Sequence, residues 1–332
     1  MAANVDFLAG RTVAVTGGAG FIGTNITEAL LQAGAKVVCL DNFSTGHRKN
    51  ILPFMGNADY RLVDGDIRDK DKCHEAFAGA DFVLHQAALG SVPRSVADPV
   101  ESTSVNVTGF VTVLHAALAA GVRKVVYASS SSVYGDSAAF PKKEGDVGAP
   151  LSPYAASKGS CELFAAAFAS AYGMSVTGLR YFNVFGPHQD PSGAYSAVIP
   201  RFAAAFLGGR RPVINGDGDA ICRDFTYVGN VVAANFLALA AGPETSGRVY
   251  NIACGGSVTL NRLFLAMREE FVQFRADVAN IEPECGSVRT GDIPVSCADI
   301  SLAMEDLGYR PEINFSEGIR LTCRWYAENG VS

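Results

Sequence analysis

Charge is scarce in this chain. Only 18% of its 332 residues are Asp, Glu, Lys or Arg, and acids outnumber bases by 33 to 27. A formal net charge of −6 offers no broad basic surface, so nucleic acid and anionic membrane surfaces are not expected partners. The eight cysteines are Cys39, Cys73, Cys161, Cys222, Cys254, Cys285, Cys297 and Cys323. None forms a Cys-x-x-Cys pair, and the five histidines are dispersed. Neither a metal centre nor a redox disulfide is therefore expected. No apolar stretch is read as long enough to span a membrane, and the Ala-rich segment from Phe164 to Ala171 is short and interrupted. Met1–Asp6 has no basic region followed by an apolar run, so a secretory signal is not expected and a cytoplasmic location is. Internal repeats and low-complexity tracts are missing as well.

What the chain has is apolar residues, 48% of the total, and 35 glycines. That is enough for a sizeable core and one large domain or two coupled ones. In the first half, short apolar runs alternate with helical patterns. Thr12–Thr16, Lys36–Leu40, Tyr60–Val63, Asp81–Leu84, Lys124–Ala128 and Ser175–Leu179 read as strands. Ile22–Gln32 and Thr103–Ala120 read as helices between them. This alternation predicts an α/β fold, a doubly wound parallel sheet of Rossmann type. The second half is less regular, with Gly/Pro/Asp-rich loops at 186–193 and 208–219, a strand at Val249–Ile252, and helices at Thr259–Phe271 and Asp299–Leu307. The expected organisation is a dinucleotide-binding domain over residues 1–180, with segments near 225–253 returning to it. Residues 181–332 mainly form a smaller α/β substrate-binding lobe.

The first expected strand runs into Thr16-Gly17-Gly18-Ala19-Gly20-Phe21-Ile22-Gly23. Gly17, Gly20 and Gly23 let the backbone turn tightly at a helix N-terminus, where unpaired N–H groups can meet a pyrophosphate. Asp41 ends the second strand, 18 residues beyond Gly23. Its carboxylate suits ribose hydroxyls and repels a 2′-phosphate, which favours NAD over NADP. Asp66 and Ile67 follow the third strand and are candidates for the adenine side.

Ser152-Pro153-Tyr154-Ala155-Ala156-Ser157-Lys158 adds chemistry. With Pro153 opening a helix, Tyr154 and Lys158 lie one above the other on one face. A phenol alone is a poor base near neutrality; a neighbouring ammonium favours the phenolate, so the pair can accept and return a proton.

The glycine loop, the Tyr154/Lys158 pair and the serine run Ala128-Ser129-Ser130-Ser131-Ser132-Val133-Tyr134-Gly135 together resemble the extended short-chain dehydrogenase/reductase family. Leu89-Gly90-Ser91-Val92-Pro93-Arg94-Ser95, Leu179-Arg180-Tyr181-Phe182-Asn183-Val184-Phe185-Gly186-Pro187 and Arg289-Thr290-Gly291-Asp292 narrow the likeness to nucleotide-sugar 4-epimerases, and among these to the UDP-N-acetylglucosamine 4-epimerases. The likeness covers nearly the whole chain. It implies that Tyr154, Lys158 and Ser130, 24 residues before the tyrosine, are the catalytic set. It implies that NAD is held by Gly17, Gly20, Phe21, Ile22, Gly23, Asp41, Asn42, Ser44, Thr45, Gly46, Asp66, Ile67, Gln86, Ala87, Ala88, Leu89, Asn106, Tyr154, Lys158 and Tyr181. For the UDP-sugar it implies Gly90, Ser91, Ser130, Ser131, Ser132, Tyr154, Asn183, Ala197, Val198, Asn215, Arg223, Arg289, Asp292 and Ser296. Arg223 and Arg289 match the pair that clamps the diphosphate, a task suited to the guanidinium fork. Ser296 matches a position that walls the sugar near C2, where a small residue admits an N-acetyl group and a tyrosine does not. Helices near Thr103–Ala120 and Ala155–Tyr172 match those that pair across a two-fold axis, which implies a homodimer. The stripes expected there are Phe110, Val113, Leu114, Ala117 and Leu118 on one helix, with Phe164, Phe168 and Ala171 on the other.

Dehydratases and decarboxylases of the same family place a carboxylate just after the serine, and this chain has Ser131, Ser132 and Val133 there. The residues left can remove a hydride and a proton from one alcohol and restore them, which is what C4 epimerisation needs. The expected substrates are UDP-GlcNAc and UDP-GalNAc, with UDP-Glc and UDP-Gal as further ones. Three other readings stay open: a UDP-glucose 4-epimerase with little N-acetyl activity, a net nucleotide-sugar dehydrogenase or reductase, and a non-catalytic NAD-sensing scaffold.

Overall fold

A computed structural model describes residues 5–191, 197–287 and 295–330. Six strands of the first half are β1 (Thr12–Thr16), β2 (Lys36–Asp41), β3 (Tyr60–Asp64), β4 (Phe82–His85), β5 (Lys124–Ser130) and β6 (Val176–Tyr181). With the strand Val249–Ile252 they form one parallel sheet, in the order Val249–Ile252, β6, β5, β4, β1, β2, β3. Helices pack on both faces, giving a doubly wound Rossmann-type fold. The inner strands are buried on both sides, which is why they read as unbroken apolar runs. One core lies under the helices Phe21–Gln32 and Val228–Ala240, and includes Val13, Val15, Ile26, Leu84 and Leu179. The opposite core holds Val38, Val83, Phe110, Val113, Val125 and Phe168.

Strand order reverses beside β1, between β2 and β4. Connections leave in opposite directions there and open a crevice at the carboxyl ends. Thr16 and His85, last in their strands, are register partners, and Thr16 Oγ1 lies 2.7 Å from His85 Nδ1.

Pro153–Tyr172 is the helix that carries Tyr154 and Lys158. Ser152 caps it by accepting from the Ala155 N–H at 3.1 Å, and Pro153 fills the first position. Gly173 ends it in the left-handed conformation at φ 64°. The helix expected over Thr103–Ala120 differs. It begins at Pro99, capped by Asp98, and passes through a π turn at Ser104–Thr108 before continuing as Gly109–Ala119. This 21-residue run, Pro99–Ala119, is long and apolar enough to cross a membrane, a correction to the expectation that none would be. Phe110, Val113, Leu114 and Ala117 of this run are fully buried against the sheet, so one face of it packs into the core. The same burial corrects the role given to those four residues as an interface stripe.

The second half supplies a further core of Phe185, Phe202, Phe206, Phe225, Phe264, Phe271 and Tyr326. It sits between the helices Val198–Leu207, Leu260–Val272 and Phe315–Asn329. Short strands edge this lobe. Cys222–Arg223 pairs with Val258–Thr259 and with Val295–Ser296, and Val213–Asn215 pairs with Glu284–Gly286. All eight cysteines are free.

Candidate active site

The crevice at the strand reversal forms a cavity lined by Gly17, Gly20, Asp41, Asn42, Ser44, Thr45, Asp66, Ile67, Gln86, Ala87 and Ala88, together with Leu40, Gly65 and Val105, which the sequence reading did not include. Close approach explains two of the glycines. A Cβ on Gly17, at φ 69°, would stand 2.7 Å from the Ala87 nitrogen, and one on Gly23 would stand 2.1 Å from the Gly17 carbonyl. The cradle therefore exists only with bare backbone, as a pyrophosphate site at a helix N-terminus requires. Gly23 shapes the cradle without lining it. Gly46 does likewise, since its Cβ would stand 2.8 Å from the Ala19 carbonyl carbon.

Asp41 is 7% exposed. Its Oδ2 accepts from the Ala19 N–H at 2.9 Å and its Oδ1 from the Phe43 N–H at 2.8 Å. The carboxylate so ties the glycine loop to β2 and keeps further lone pairs. Burial raises its pKa, against these two hydrogen bonds. Asp66 is held by Arg68, through Nε at 3.0 Å and Nη2 at 2.8 Å, and by Asn42 Nδ2 at 2.8 Å; Arg68 lowers its pKa.

Three predicted residues hydrogen-bond to other side chains or loops of the protein. The Tyr181 hydroxyl donates to Gln86 Oε1 at 3.2 Å and accepts from Asn235 Nδ2 at 2.9 Å, and Gln86 Nε2 donates to Asn235 Oδ1 at 3.2 Å. This closed ring includes Asn235, absent from the sequence reading, and burial drives the Tyr181 pKa to about 12. Asn106 sits in the π turn. Its Oδ1 accepts from the Leu89 N–H at 2.8 Å, and its Nδ2 donates to Ser157 Oγ at 3.1 Å. Asn106 thus fastens the Leu89 loop to the helix of Tyr154.

Ser130 ends β5. Its Oγ accepts from the Ser132 N–H at 3.2 Å and the Ser132 hydroxyl at 3.0 Å, inside the Ser131–Tyr134 turn. Lys158 is 4% exposed, and its Nζ donates to the Ala128 carbonyl at 2.7 Å. The ammonium is thereby anchored two residues before Ser130 and keeps two further N–H donors. Tyr154 is fixed through its backbone, whose N–H donates to Ser95 Oγ at 3.0 Å. Behind this set, burial and then the Lys158 charge push the pKa of His85 down to about 3; the imidazole is neutral at ordinary pH.

A second cavity of about 220 Å³ opens in the smaller lobe. Among the expected residues it is lined by Asn183, Ala197, Val198, Asn215 and Arg223, joined by Phe185, Gln189, Arg201, Ile221 and Phe225. Asn183 adopts φ 35°, and its Nδ2 donates to the Asp224 carbonyl at 3.1 Å. Ser296 is part-buried and pairs in register with Arg223. Gly90 and Ser91 line neither cavity; Ser91 Oγ instead caps the Val92–Ala97 helix by accepting from the Arg94 N–H at 3.2 Å. Phe21 and Ile22 open the first helix. Arg289 and Asp292 lie outside the described residues. Among those described, no group of three or more His, Cys, Asp or Glu is placed to hold a metal ion.

Residues 13–253 match the NAD dependent epimerase/dehydratase family. A UDP-N-acetylglucosamine 4-epimerase from Methanobrevibacter ruminantium, solved with UDP-N-acetylmuramic acid, superposes with a TM-score of 0.89 at 38% identity, covering 96% of this chain and 99% of that one. The UDP-glucose 4-epimerase of Thermus thermophilus, solved with NAD, gives 0.83 at 35% identity, covering 97% and 100%. The UDP-glucose 4-epimerase of Mycolicibacterium smegmatis is 37% identical, covering 94% of this chain and 97% of its own.

Proposed function

The chain belongs to the NAD dependent epimerase/dehydratase family, and we propose that it interconverts UDP-N-acetylglucosamine and UDP-N-acetylgalactosamine by inverting C4, with UDP-glucose and UDP-galactose as further substrates. As a nucleotide-sugar 4-epimerase it is an enzyme, and its cofactor is NAD. In this reading residues 1–180, with the returning segment near 225–253, hold the cofactor and present Ser130 and Tyr154 to the sugar, and residues 181–332 mainly hold the UDP-sugar. The observation that carries the reading is the placement of Ser130, Tyr154 and Lys158 on neighbouring elements, with small serines at 131 and 132 where a dehydratase would need a carboxylate. The small Ser296 beside Arg223 supports the N-acetyl preference.

NAD, when bound, would supply a hydride acceptor and donor for C4. The chain's own residues do the rest. Tyr154 takes the proton of the 4-hydroxyl and later gives it back. Ser130 hydrogen-bonds the same oxygen. Lys158, held by the Ala128 carbonyl, places positive charge one helical turn from Tyr154 and would donate to the nicotinamide ribose. Arg223 and Arg289 grip the diphosphate. The serines leave room for the 4-keto sugar to swing about its diphosphate linkage and present its other face.

The reaction run in deuterium oxide tests this. Epimer formed with no deuterium at C4 is the expected result, because the hydrogen never exchanges with solvent. Deuterium at C4 would overturn the mechanism.

A further inference from the structure

We propose that Glu162 is a positioning residue for proton transfer, acting through Ser129 and Arg180 to hold the Tyr154 helix against the strand that ends in Ser130. The inference rests on the roles given above to Tyr154, Lys158 and Ser130. Tyr154, Lys158 and Glu162 are spaced four residues apart on one helix and so share a face. Lys158 Nζ reaches the Ala128 carbonyl at 2.7 Å. One turn on, Glu162 Oε1 accepts from the Ser129 hydroxyl at 2.5 Å. The same oxygen takes Arg180 Nε at 2.9 Å, while Oε2 takes Arg180 Nη2 at 2.8 Å. Arg180 Nη1 donates to the Glu144 carbonyl at 2.8 Å, and the guanidinium lies 4.9 Å from the centre of the Tyr134 ring. Arg180 is buried and Glu162 part-buried, with side-chain exposures of 3% and 15%.

Register makes this more than a buried ion pair. Ser129 and Arg180 are opposite each other on β5 and β6, and the next pair is Ser130 with Tyr181. One carboxylate therefore joins three elements: the helix of Tyr154 and Lys158, the strand of Ser130, and the strand of Tyr181. A two-bond Arg–carboxylate contact fixes orientation as well as distance. With Lys158 on Ala128 and Glu162 on Ser129, two successive turns of the helix are tied to two successive residues of β5. Sliding or rotation of the helix would break both ties. Proton transfer is sensitive to displacements of about 1 Å, which can cost on the order of 100-fold in rate. The uridine and diphosphate are assigned to the other lobe, so substrate affinity should be insensitive to Glu162.

Two variants separate positioning from stability. Glu162→Gln keeps the shape but sets an amide N–H against Arg180; a buried ion pair that loses one partner is destabilising. The double variant Glu162→Leu/Arg180→Met replaces the pair by apolar groups, which commonly restores stability. In both, kcat for the UDP-sugar is expected to fall roughly 10- to 100-fold with KM within about threefold of wild type, and the double variant is expected to keep a near-wild-type Tm. Wild-type kcat in the double variant, or loss of kcat that tracks Tm across the two variants, would overturn the inference. Tyr154→Phe is measured alongside. Its inactivity together with fully active Glu162 variants would sink this inference alone, whereas a fully active Tyr154→Phe would remove the proposed chemistry as well.

Discussion

Ser296 and Arg223 are register partners across a parallel pair of two-residue strands, and the Ser296 carbonyl accepts from the Asp224 N–H at 2.8 Å. The residue proposed to gauge the C2 substituent is thus fastened beside the residue proposed to hold the diphosphate. Substitution at 296 should change the side chain beside Arg223 while leaving these backbone bonds in place. Ser296→Tyr is expected to lower kcat/KM for UDP-GlcNAc and UDP-GalNAc by about 100-fold or more through steric overlap, and to spare UDP-Glc and UDP-Gal. Measuring all four sugars checks this; equal loss on all four would make Ser296 a packing residue.

Asp41 both ties down the glycine loop and lines the cavity proposed to hold the cofactor. Asp41→Asn removes the negative charge but keeps a side-chain acceptor. The variant is expected to retain NAD less firmly and to discriminate less against NADP, seen by titrating each dinucleotide into protein stripped of cofactor. Wild-type protein that binds NADP as tightly as NAD would contradict the role given to Asp41.

His85 makes stability depend on pH. Burial depresses its folded-state pKa to about 3, so the unfolded chain binds the proton first as pH falls below about 6.5. Its contribution is complete above that value and declines as pH drops toward 3. Compared with His85→Gln, the wild type should lose about 2 kcal/mol of unfolding free energy between pH 7.5 and 5. Urea unfolding of both proteins at the two pH values measures this; parallel behaviour would show that the imidazole is not held neutral.

The Pro153–Tyr172 helix carries Leu163 and Tyr172 at 75% and 59% exposure, and Phe164 is also exposed. Val96 and Val100 are exposed on the preceding helices. Apolar exposure on this scale fits a second copy of the chain. A homodimer at micromolar concentration is expected by light scattering, and Leu163→Glu should shift it toward monomer. A strictly monomeric wild type would contradict the assembly.

Much of the fold was legible because parallel strands and phosphate-binding turns are written in contiguous residues. β1, the glycine turn and Asp41 follow one another at fixed spacing, and Pro153 marks a helix start. Strand ends were less legible. β5 and β6 run two residues past the expected Ala128 and Leu179 because Ser129–Ser130 and Arg180–Tyr181 pair across the sheet, which their polarity conceals. The Tyr181–Gln86–Asn235 ring joins three distant segments, and Asn235 sits in a Val- and Ala-rich helix with nothing local to single it out. The Glu162–Arg180 pair was hidden likewise, as a salt bridge formed only once the helix lies on the sheet. Phe110, Val113, Leu114 and Ala117 make a helical stripe that suits a core and an interface equally, and only packing chooses between them.

The most direct measurement is to incubate the purified protein with UDP-GlcNAc, adding no cofactor, and to follow the nucleotide sugars by NMR. The account predicts UDP-GalNAc accumulating to a fixed ratio, the same ratio reached from UDP-GalNAc, with no net release of reduced cofactor. Stoichiometric formation of an oxidised sugar that depends on added NAD, or turnover confined to UDP-Glc and UDP-Gal, would contradict it.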